Sequence, residues 1–313
     1  MTVEMPGTTG TLGENVPAAP LTPQTPVPPP PDDKPSAGDH VSETGPSLSP
    51  SRAADFKTCP LLYRFRAIDR IPERPSPDQA RGTLVHAVLE RLFDLPPEHR
   101  TPQQASAALL PQWQRLMAEQ PELAKLFDDP SLADDWLASA HTLLDGYFSL
   151  EDPQRLQPAE RESRVEAVVG EGLRLRGIID RLDVSSAGDV RVVDYKSGGA
   201  PREAFEGRAL FQLKFYALVL WRSRGVVPKV LRLLYLADRE ARDYTPHQDE
   251  LARFERTLLA LWQAIERATR TGDFRPKPSR LCDWCHHQSL CPEFGGTPPG
   301  YPSQPATSGR RKP

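Results

Sequence analysis

The sequence from Leu173 to Lys196, LRLRGIIDRLDVSSAGDVRVVDYK, decides the fold and contains the most informative acidic residues. It predicts two β-strands joined by a tight turn at residues 185–189. Because side chains on a strand alternate between faces, Asp194 and Lys196 point the same way, and Asp180 can lie alongside from the neighbouring strand. Two carboxylates and an ammonium at one place are costly unless a cation or a substrate uses them. We therefore predict a cation-binding site here.

The sequence on either side of this stretch predicts a mixed α/β fold. Apolar residues recur at helical spacing before and after the strands, whereas the segment from Glu160 to Val169 alternates and forms a hairpin with the strand that follows it. Glu162 and Glu166 lie on that segment, where we expect a solvated face. The order of helices, three strands, helix, strand and helix is typical of a central sheet with helices on its faces. The later elements are predicted at residues 208–224, 228–236 and 248–271, and two helices before the strands are predicted within about 101–150.

The two ends of the chain differ in composition from the region between them. Residues 1–48 are rich in Pro, Thr, Ser and Gly, and residues 295–313 end in a basic cluster, so both are predicted to be disordered tails around one folded domain at 49–294. The net charge is −3, but residues 1–48 hold six acidic residues and one basic residue, which leaves +2 for the remainder. A local basic groove is compatible with that balance. The sequence shows neither a signal segment nor a run of about 20 apolar residues, so we expect a cytoplasmic protein without membrane spans.

Four cysteines form a pattern of metal-ligand type. Cys282, Cys285 and Cys291 follow a Cys-x2-Cys-x5-Cys spacing, and Cys59 lies far upstream. A disulfide framework is not expected in a chain without a signal segment. Four thiolates can hold either a zinc ion or an iron–sulfur cluster, and the spacing alone does not choose between them. In either case the site would join both ends of the folded region and add metal-binding energy to its folding.

A cation site built on the two strands needs ligands that suit a hard divalent ion. Asp180 and Asp194 supply carboxylates of the kind that Mg²⁺ prefers, and the backbone carbonyl of Tyr195 offers another oxygen. A lone histidine on an apolar helix face, such as His86, is more often a core or capping residue, but as a ligand it would shift the preference toward Mn²⁺. Lys196 could position or deprotonate a water, or stabilise negative charge on a phosphate.

Four short motifs occur in an order that resembles a known family. They are Gly82-x3-His86, Gly177-Ile-Ile-Asp180, Asp194-Tyr-Lys196 and Gln212-x3-Tyr216. Each motif is weak alone, but the ordered set resembles the RecB-like branch of the PD-(D/E)XK nuclease superfamily, over residues 49–294. The resemblance implies a restriction-endonuclease-like α/β fold. The cysteine pattern looks like the [4Fe–4S] staple of AddB-type nuclease domains, which favours an iron–sulfur cluster over zinc at the four cysteines.

The resemblance also implies an activity and roles for the site residues. His86, Asp180, Asp194 and the Tyr195 carbonyl would hold Mg²⁺ or Mn²⁺ in the catalytic centre, and Lys196 would be the catalytic lysine. The implied activity is hydrolysis of phosphodiester bonds in DNA, by an exonuclease that acts on single strands or free ends in repair or recombination. The side chains expected beside the DNA are Gln212, Tyr216, Arg64, Arg81 and Arg181.

Other functions are compatible with the same motifs. The chain could be a non-catalytic DNA-binding subunit of a helicase–nuclease complex, or a nuclease that acts on RNA or flap substrates. In the larger relatives of this family the domain is fused to a helicase, so a helicase partner is a reasonable expectation. The sequence contains no Gly-x4-Gly-Lys-Ser/Thr phosphate loop, and we therefore expect no ATP binding by this chain.

Overall fold

The computed structural model describes residues 45–127, 129–200 and 207–301. A central sheet carries helices on both faces, which confirms the predicted mixed α/β class. The predicted tails lie largely outside the described residues, at 1–44 and 302–313. The predicted N-terminal boundary at residue 49 is too late, because Ser47 and Leu48 form a strand of the sheet and Leu48 is buried. The strands are β1 (Ser47–Leu48), β2 (Glu160–Val169), β3 (Leu173–Val184), β4 (Val190–Lys196), β5 (Val230–Tyr235) and β6 (Glu240–Tyr244). The helices are α1 (Pro50–Thr58), α2 (Pro60–Tyr63), which continues as a wider turn at Arg64–Ile68, α3 (Pro77–Leu92), α4 (Pro102–Glu119), α5 (Pro130–Leu150), α6 (Gly207–Arg224) and α7 (Gln248–Thr271).

Strand β3 organises the sheet because it pairs with three other strands. β2 runs antiparallel along one edge of it. On the other edge, β1 pairs in parallel near the start of β3, and β4 pairs antiparallel only with Arg181–Val184. β5 then adds in parallel to β4, and β6 adds antiparallel to β5. Since the pairing of β3 with β4 ends at Arg181 and Val193, the two strands separate at the positions of Asp180 and Asp194.

A separate hydrophobic core lies on each face of the sheet. One core joins the strands to α1, α6 and α7, and the other joins α3, α4 and α5 to Val193 and Tyr195 of β4 and to the end of β5. In the second core the rings of Trp113 and Trp136 lie with centroids 4.7 Å apart. The helices predicted within 101–150 are therefore confirmed, and they cover one face of the sheet. No helix among the described residues is long and apolar enough to cross a membrane.

The start of the folded region positions the first cysteine. Ser49 caps α1 by accepting a hydrogen bond from the Arg52 amide at 3.3 Å, and Pro50 is the first helical residue. The next proline, Pro60, disfavours helical geometry in the residue before it, and Cys59 is indeed extended between α1 and α2. Its sulfur accepts a hydrogen bond from the Lys277 amide at 3.4 Å. This break in the helix therefore turns Cys59 toward the C-terminal cysteines.

The packed chain continues past the predicted boundary at residue 294. The Tyr301 hydroxyl donates to the Thr269 carbonyl at 2.8 Å, and its ring lies 5.7 Å from that of Phe274. The buried guanidinium of Arg64 covers the same ring and pairs with Asp69 at 3.0 Å. The prediction that Arg64 lies beside DNA is therefore wrong, because this side chain is buried and holds the end of the domain in place.

Arg181 was also predicted to lie beside DNA, but its side chain is completely buried. Its guanidinium binds both carboxylate oxygens of Glu151, at 2.7 and 3.0 Å, and both oxygens of Asp183, at 3.1 and 3.2 Å. Its fifth hydrogen is donated to the Tyr195 hydroxyl at 2.9 Å. All five donors of the buried cation therefore have acceptors, which offsets the cost of removing it from water.

Replacement of Arg181 should destabilise the fold strongly. Arg181→Ala leaves the carboxylate of Glu151, whose side chain is 5% exposed, without its buried partner, so we expect a loss of about 3–5 kcal/mol in the free energy of unfolding. Arg155→Ala is the control, since the Arg155 side chain is 87% exposed and should change this energy by no more than about 1 kcal/mol. Urea unfolding measures both, and equal small effects would contradict the structural role of Arg181.

Candidate active site

Three of the four predicted metal ligands lie together where β3 and β4 separate. The Tyr195 amide donates to Oδ2 of Asp180 at 2.8 Å. The same carboxylate oxygen lies 3.5 Å from Nδ1 of His86, and Nε2 of His86 lies 3.0 Å from the Tyr195 carbonyl oxygen. The fold therefore brings an imidazole, a carboxylate and a backbone carbonyl together from α3, β3 and β4. These are three of the four donors predicted for the cation. The fourth, Asp194, pairs with the Lys196 ammonium at 2.6 Å and is not among the ligand atoms that lie within 4.8 Å of one another.

Glu162 joins this group, although the sequence placed it on a solvated face. His86, Glu162 and Asp180 each offer one ligand atom, and these three atoms lie within 4.8 Å of one another. Glu166, which was expected on the same solvated face, is indeed exposed and pairs with Arg174 at 3.1 Å. The prediction is thus wrong for Glu162, which faces the site, and correct for Glu166.

The pairing of β2 with β3 explains why Glu162 faces the site. Arg161 lies opposite Arg181 and Ser163 lies opposite Ile179, so Glu162 occupies the position opposite Asp180. The backbone of Glu162 is left-handed, with φ of 43°, a conformation that is costly for a residue other than glycine and that is concentrated at functional sites. The register of the hairpin could have revealed this acid, because its turn is marked by glycines in the sequence.

The acidic side chains of the site repel one another without a cation. Burial raises the pKa of Glu162 to about 7, and the Asp180 carboxylate adds to that increase. Burial also raises the pKa of Asp194, which the Lys196 ammonium partly offsets. Burial alone would lower the pKa of His86, but the Asp180 carboxylate raises it to about 9. Like charges directly opposite on paired strands are destabilising. A divalent cation fits this set of imidazole and carboxylate donors, since it would neutralise the repulsion.

A row of polar contacts extends from Asp194 to α6. The Lys196 ammonium lies 2.6 Å from Oδ2 of the buried Asp194 and donates to the Gln212 side-chain oxygen at 2.9 Å. The Gln212 amide nitrogen in turn donates to the Tyr216 hydroxyl at 2.9 Å. Gln212 and Tyr216 are four residues apart on α6 and share a face, as their spacing predicted. The row fixes the position of the Lys196 ammonium beside the carboxylates.

Two glycines of the sequence motifs allow helices to approach the strands. A Cβ atom on Gly177 would lie 2.6 Å from Cε1 of the Tyr216 ring, so α6 could not approach β3 as closely. A Cβ atom on Gly82 would lie 2.9 Å from the Ser197 hydroxyl, just beyond β4. Both glycines therefore bring helical side chains to the place where β3 and β4 separate.

Two clefts open beside these residues. The first, here called the His86 cleft, has a volume of about 590 Å³, and the second, the Tyr216 cleft, has a volume of about 380 Å³. The His86 cleft is bordered by Glu90, Glu162, Arg164 and Ile178 in addition to His86. The Tyr216 cleft is bordered by Ser51, Ile178, Arg208, Gln212 and Tyr216. His86 and Glu162 thus face an open cleft, whereas Asp180, Asp194 and Lys196 border neither of the two clefts.

The fold and the arrangement of the site match a known family. A model of the PD-(D/E)XK nuclease superfamily matches residues 47–292, which include every motif described above. The chain belongs to the PD-(D/E)XK nuclease superfamily. As a member of this superfamily the chain is a nuclease. Its class of substrate is a nucleic acid, and its expected cofactors are divalent metal ions.

Individual relatives of this nuclease are distant. The Gene 69 protein of Mycobacterium phage L5 is 30% identical over 129 residues, which are 40% of this chain and 41% of that protein. A solved structure of a protein from Eubacterium rectale, provisionally named an exonuclease, has 14% sequence identity and a TM-score of 0.47, covering 77% of this chain and 87% of that chain. The match to the phage protein thus covers less than half of either protein. The assignment of the chain to the superfamily depends on the family match.

The four cysteines of the nuclease border one cavity of about 290 Å³. All four are free thiols. Burial raises the pKa of Cys291, and the nearby Cys59, Cys285 and Cys282 raise it further. Among the described residues, no three of these sulfur atoms lie within 4.8 Å of one another. The fold therefore brings the distant Cys59 to the C-terminal cysteines.

The segment that carries Cys282, Cys285 and Cys291, here called the cysteine segment, is held against the N-terminal helices by a chain of polar contacts. The buried His287 places Nε2 2.7 Å from a carboxylate oxygen of Glu73, and its ring lies 5.2 Å from that of Phe65. Glu73 accepts a hydrogen bond from Arg66 at 2.7 Å, and Arg66 reaches Asp55 on α1 at 2.7 Å. The segment is therefore anchored by side chains as well as by its cysteines.

Arg81, the third arginine predicted beside DNA, also binds other side chains of the protein. It pairs with Asp78 at 2.7 Å and donates to the Ser139 hydroxyl on α5 at 3.1 Å. About a quarter of its side chain stays exposed. Its guanidinium thus joins α3 to α5, and Arg81 borders neither of the two clefts.

Substitution of Glu162 should separate cation binding from stability. Glu162→Gln removes a candidate ligand, so we expect at least a roughly tenfold loss of Mn²⁺ affinity. The same change removes a negative charge opposite Asp180, so the metal-free protein should become slightly more stable. Calorimetric titration and thermal unfolding in a chelator measure the two effects. Glu166→Gln on the same strand is the control, and Mn²⁺ affinity equal to that of the parent would exclude Glu162 as a ligand.

Proposed function

We propose that this nuclease is a DNA exonuclease of the RecB-like branch, which acts on single strands or free ends during repair or recombination and uses Mg²⁺ or Mn²⁺. The convergence of His86, Glu162 and Asp180, with the Asp194–Lys196 pair on the next strand, carries the proposal. A non-catalytic DNA-binding subunit of a helicase–nuclease complex would have no need to keep this complete set. Catalysis therefore explains the site better than binding alone.

The residues divide the chemical work as follows. His86, Asp180, Asp194 and the Tyr195 carbonyl would hold the cation, with Glu162 as an additional carboxylate. When bound, the cation neutralises charge on the phosphate and lowers the pKa of a water. Lys196, oriented by Asp194 and Gln212, would position the attacking water or stabilise the negative charge that develops on the phosphate.

We also propose that the four cysteines hold a [4Fe–4S] cluster. Thiolates are the ligands of both iron–sulfur clusters and structural zinc, and four of them border the same cavity. The resemblance of the cysteine spacing to the staple of AddB-type nuclease domains favours the cluster over a zinc ion. Hydrogen bonds from the Lys277 amide to Cys59 at 3.4 Å and from the Ser279 amide to Cys282 at 3.3 Å would tune such a cluster.

Digestion of end-labelled nucleic acids tests the activity. The parent protein should degrade single-stranded DNA with Mg²⁺ or Mn²⁺ and lose this activity in a chelator. Asp194→Asn and Lys196→Ala should each reduce the rate at least about a hundredfold, because each removes a group that acts on the reacting phosphate or water. Lys229→Ala is the control, since this exposed lysine pairs only with Asp189 among the described residues.

The substrate panel separates the alternatives. Tight binding of DNA without cleavage under every metal condition would support the non-catalytic subunit and refute the proposal. Cleavage of RNA or flap junctions in preference to simple DNA ends would keep the site chemistry but overturn the assigned substrate. Full activity in both Asp194→Asn and Lys196→Ala would exclude this site as the catalytic centre.

Anaerobic purification tests the cluster. The parent protein should be brown, absorb at the blue end of the visible spectrum and contain about four iron atoms and four sulfides per chain. Cys285→Ser should lose the colour and most of the iron, and its melting temperature should fall because metal binding contributes to folding. A colourless parent protein with one zinc ion per chain would refute the assignment.

A further inference from the structure

Three cavities of the molecule are joined by shared side chains. The His86 cleft and the Tyr216 cleft meet at Ile178, which borders both of them. The cavity that the four cysteines border, here called the cysteine cavity, meets the Tyr216 cleft in the same way at Arg208. The three cavities therefore adjoin one another, and the surface that leads from the His86 cleft past Ile178 and Arg208 to the cysteines is here called the track.

Three exposed basic side chains along this track form no ion pair with a described residue, although the charge of Arg208 stabilises the Asp55 carboxylate and the Lys277 ammonium donates to the Lys57 carbonyl at 3.1 Å. The arginines predicted beside DNA are occupied by carboxylates of the protein, as shown for Arg181. In contrast, Arg164, Arg208 and Lys277 are exposed and form no ion pair with any residue that the structure describes. Arg164 borders the His86 cleft, Arg208 borders the Tyr216 cleft and the cysteine cavity, and Lys277 borders the cysteine cavity. Arg164 and Arg208 therefore offer one cation in each cleft, and Lys277 offers one at the border of the cavity that the proposed cluster would occupy.

Large apolar side chains also stand exposed along the track. Ile178 is 45% exposed, and it lies two residues before Asp180 on β3, in the wall between the two clefts. Trp284 borders the cysteine cavity and is 75% exposed. Exposed indole rings stack on unpaired bases in proteins that bind single strands, and the flat face of every base suits such stacking.

We infer that these features bind one single-stranded nucleic acid, which runs from the catalytic residues past Ile178 and Arg208 to Trp284. Arg208 and Lys277 bind its phosphates, and Trp284 stacks on one of its bases. The inference rests on the proposed function, because it requires a nucleic acid in the catalytic clefts. The unpaired cations favour a polyanion over an apolar protein partner, and a duplex would not offer its base faces to Trp284.

Binding of labelled oligothymidylates of two lengths tests the track. The measurements use the full chain in a Lys196→Ala background, so that the strands are not degraded. Strands of about 4 nucleotides should fill only the catalytic clefts, whereas strands of about 16 nucleotides should also reach Trp284. Trp284→Ala should lower the affinity for the long strand roughly tenfold without changing the salt dependence of binding. It should leave the affinity for the short strand unaffected. Trp284→Phe should restore most of the lost affinity because it keeps a stacking ring.

Arg208→Ala provides an independent test through electrostatics. It should lower the affinity for the long strand. The magnitude of the slope of log K against log salt concentration should also decrease by about 0.7, the value for one phosphate contact on a single strand. Arg256→Ala removes an equal charge from an exposed position on α7 that borders none of the three cavities. This control should leave both the affinity and the slope at the parent values.

The outcomes separate this inference from the proposed function. Unchanged binding of the long strand by both Trp284→Ala and Arg208→Ala, together with DNA cleavage by the parent protein, would overturn the track and keep the nuclease. A parent protein that neither binds nor cleaves any nucleic acid would overturn both. Iron content and thermal unfolding of each variant show whether a loss of binding comes from a damaged cysteine site, and Arg208→Ala, which changes no residue of that segment, then decides the question.

Discussion

The hydrogen bond from the Tyr195 amide to the Asp180 carboxylate is the contact on which the site depends. It occurs where β4 leaves β3, so that a side-chain oxygen satisfies an amide that strand pairing would otherwise satisfy. This contact fixes the carboxylate near His86, while the Tyr195 carbonyl faces the other nitrogen of the same imidazole. If the two strands stayed paired to the end of β4, this amide would be occupied by the ladder, and the acids would lie on a closed sheet with no room for a cation.

Tyr195 also connects the site to the interior of the protein. Its hydroxyl accepts a hydrogen bond from the buried Arg181, which Glu151 and Asp183 hold in turn. A buried ion network gains little net stability after desolvation, so its main contribution here is position. Because both the ring and the backbone of Tyr195 are fixed, β4 cannot shift without breaking the network. The rigid support of the site is therefore on the opposite side of the sheet from Lys196.

The sequence predicted what depends on local periodicity and missed what depends on tertiary pairing. The main helices, β2 to β5 and the acids of β3 and β4 follow from residue spacing. Strand β6 was missed because it is a polar edge strand with no buried face to mark it. Glu162 was missed because its role depends on the register that places it opposite Asp180. Arg181 and Arg208 look alike in a sequence, and only the fold shows that one meets buried carboxylates while the other faces a cleft.

The cysteine segment is held in place by more than its thiols. His287, Glu73, Arg66 and Asp55 form a polar chain from this segment to α1, and none of these contacts requires a metal. Side chains of the protein therefore contribute to holding the C-terminal cysteines near Cys59, and they lower the ordering entropy that binding of the proposed cluster would have to overcome. A bound cluster would then add its affinity to a nearly formed site and stabilise the connection between the two ends of the domain. It follows that loss of the cluster should affect the stability of this region more than the geometry of the distant carboxylates.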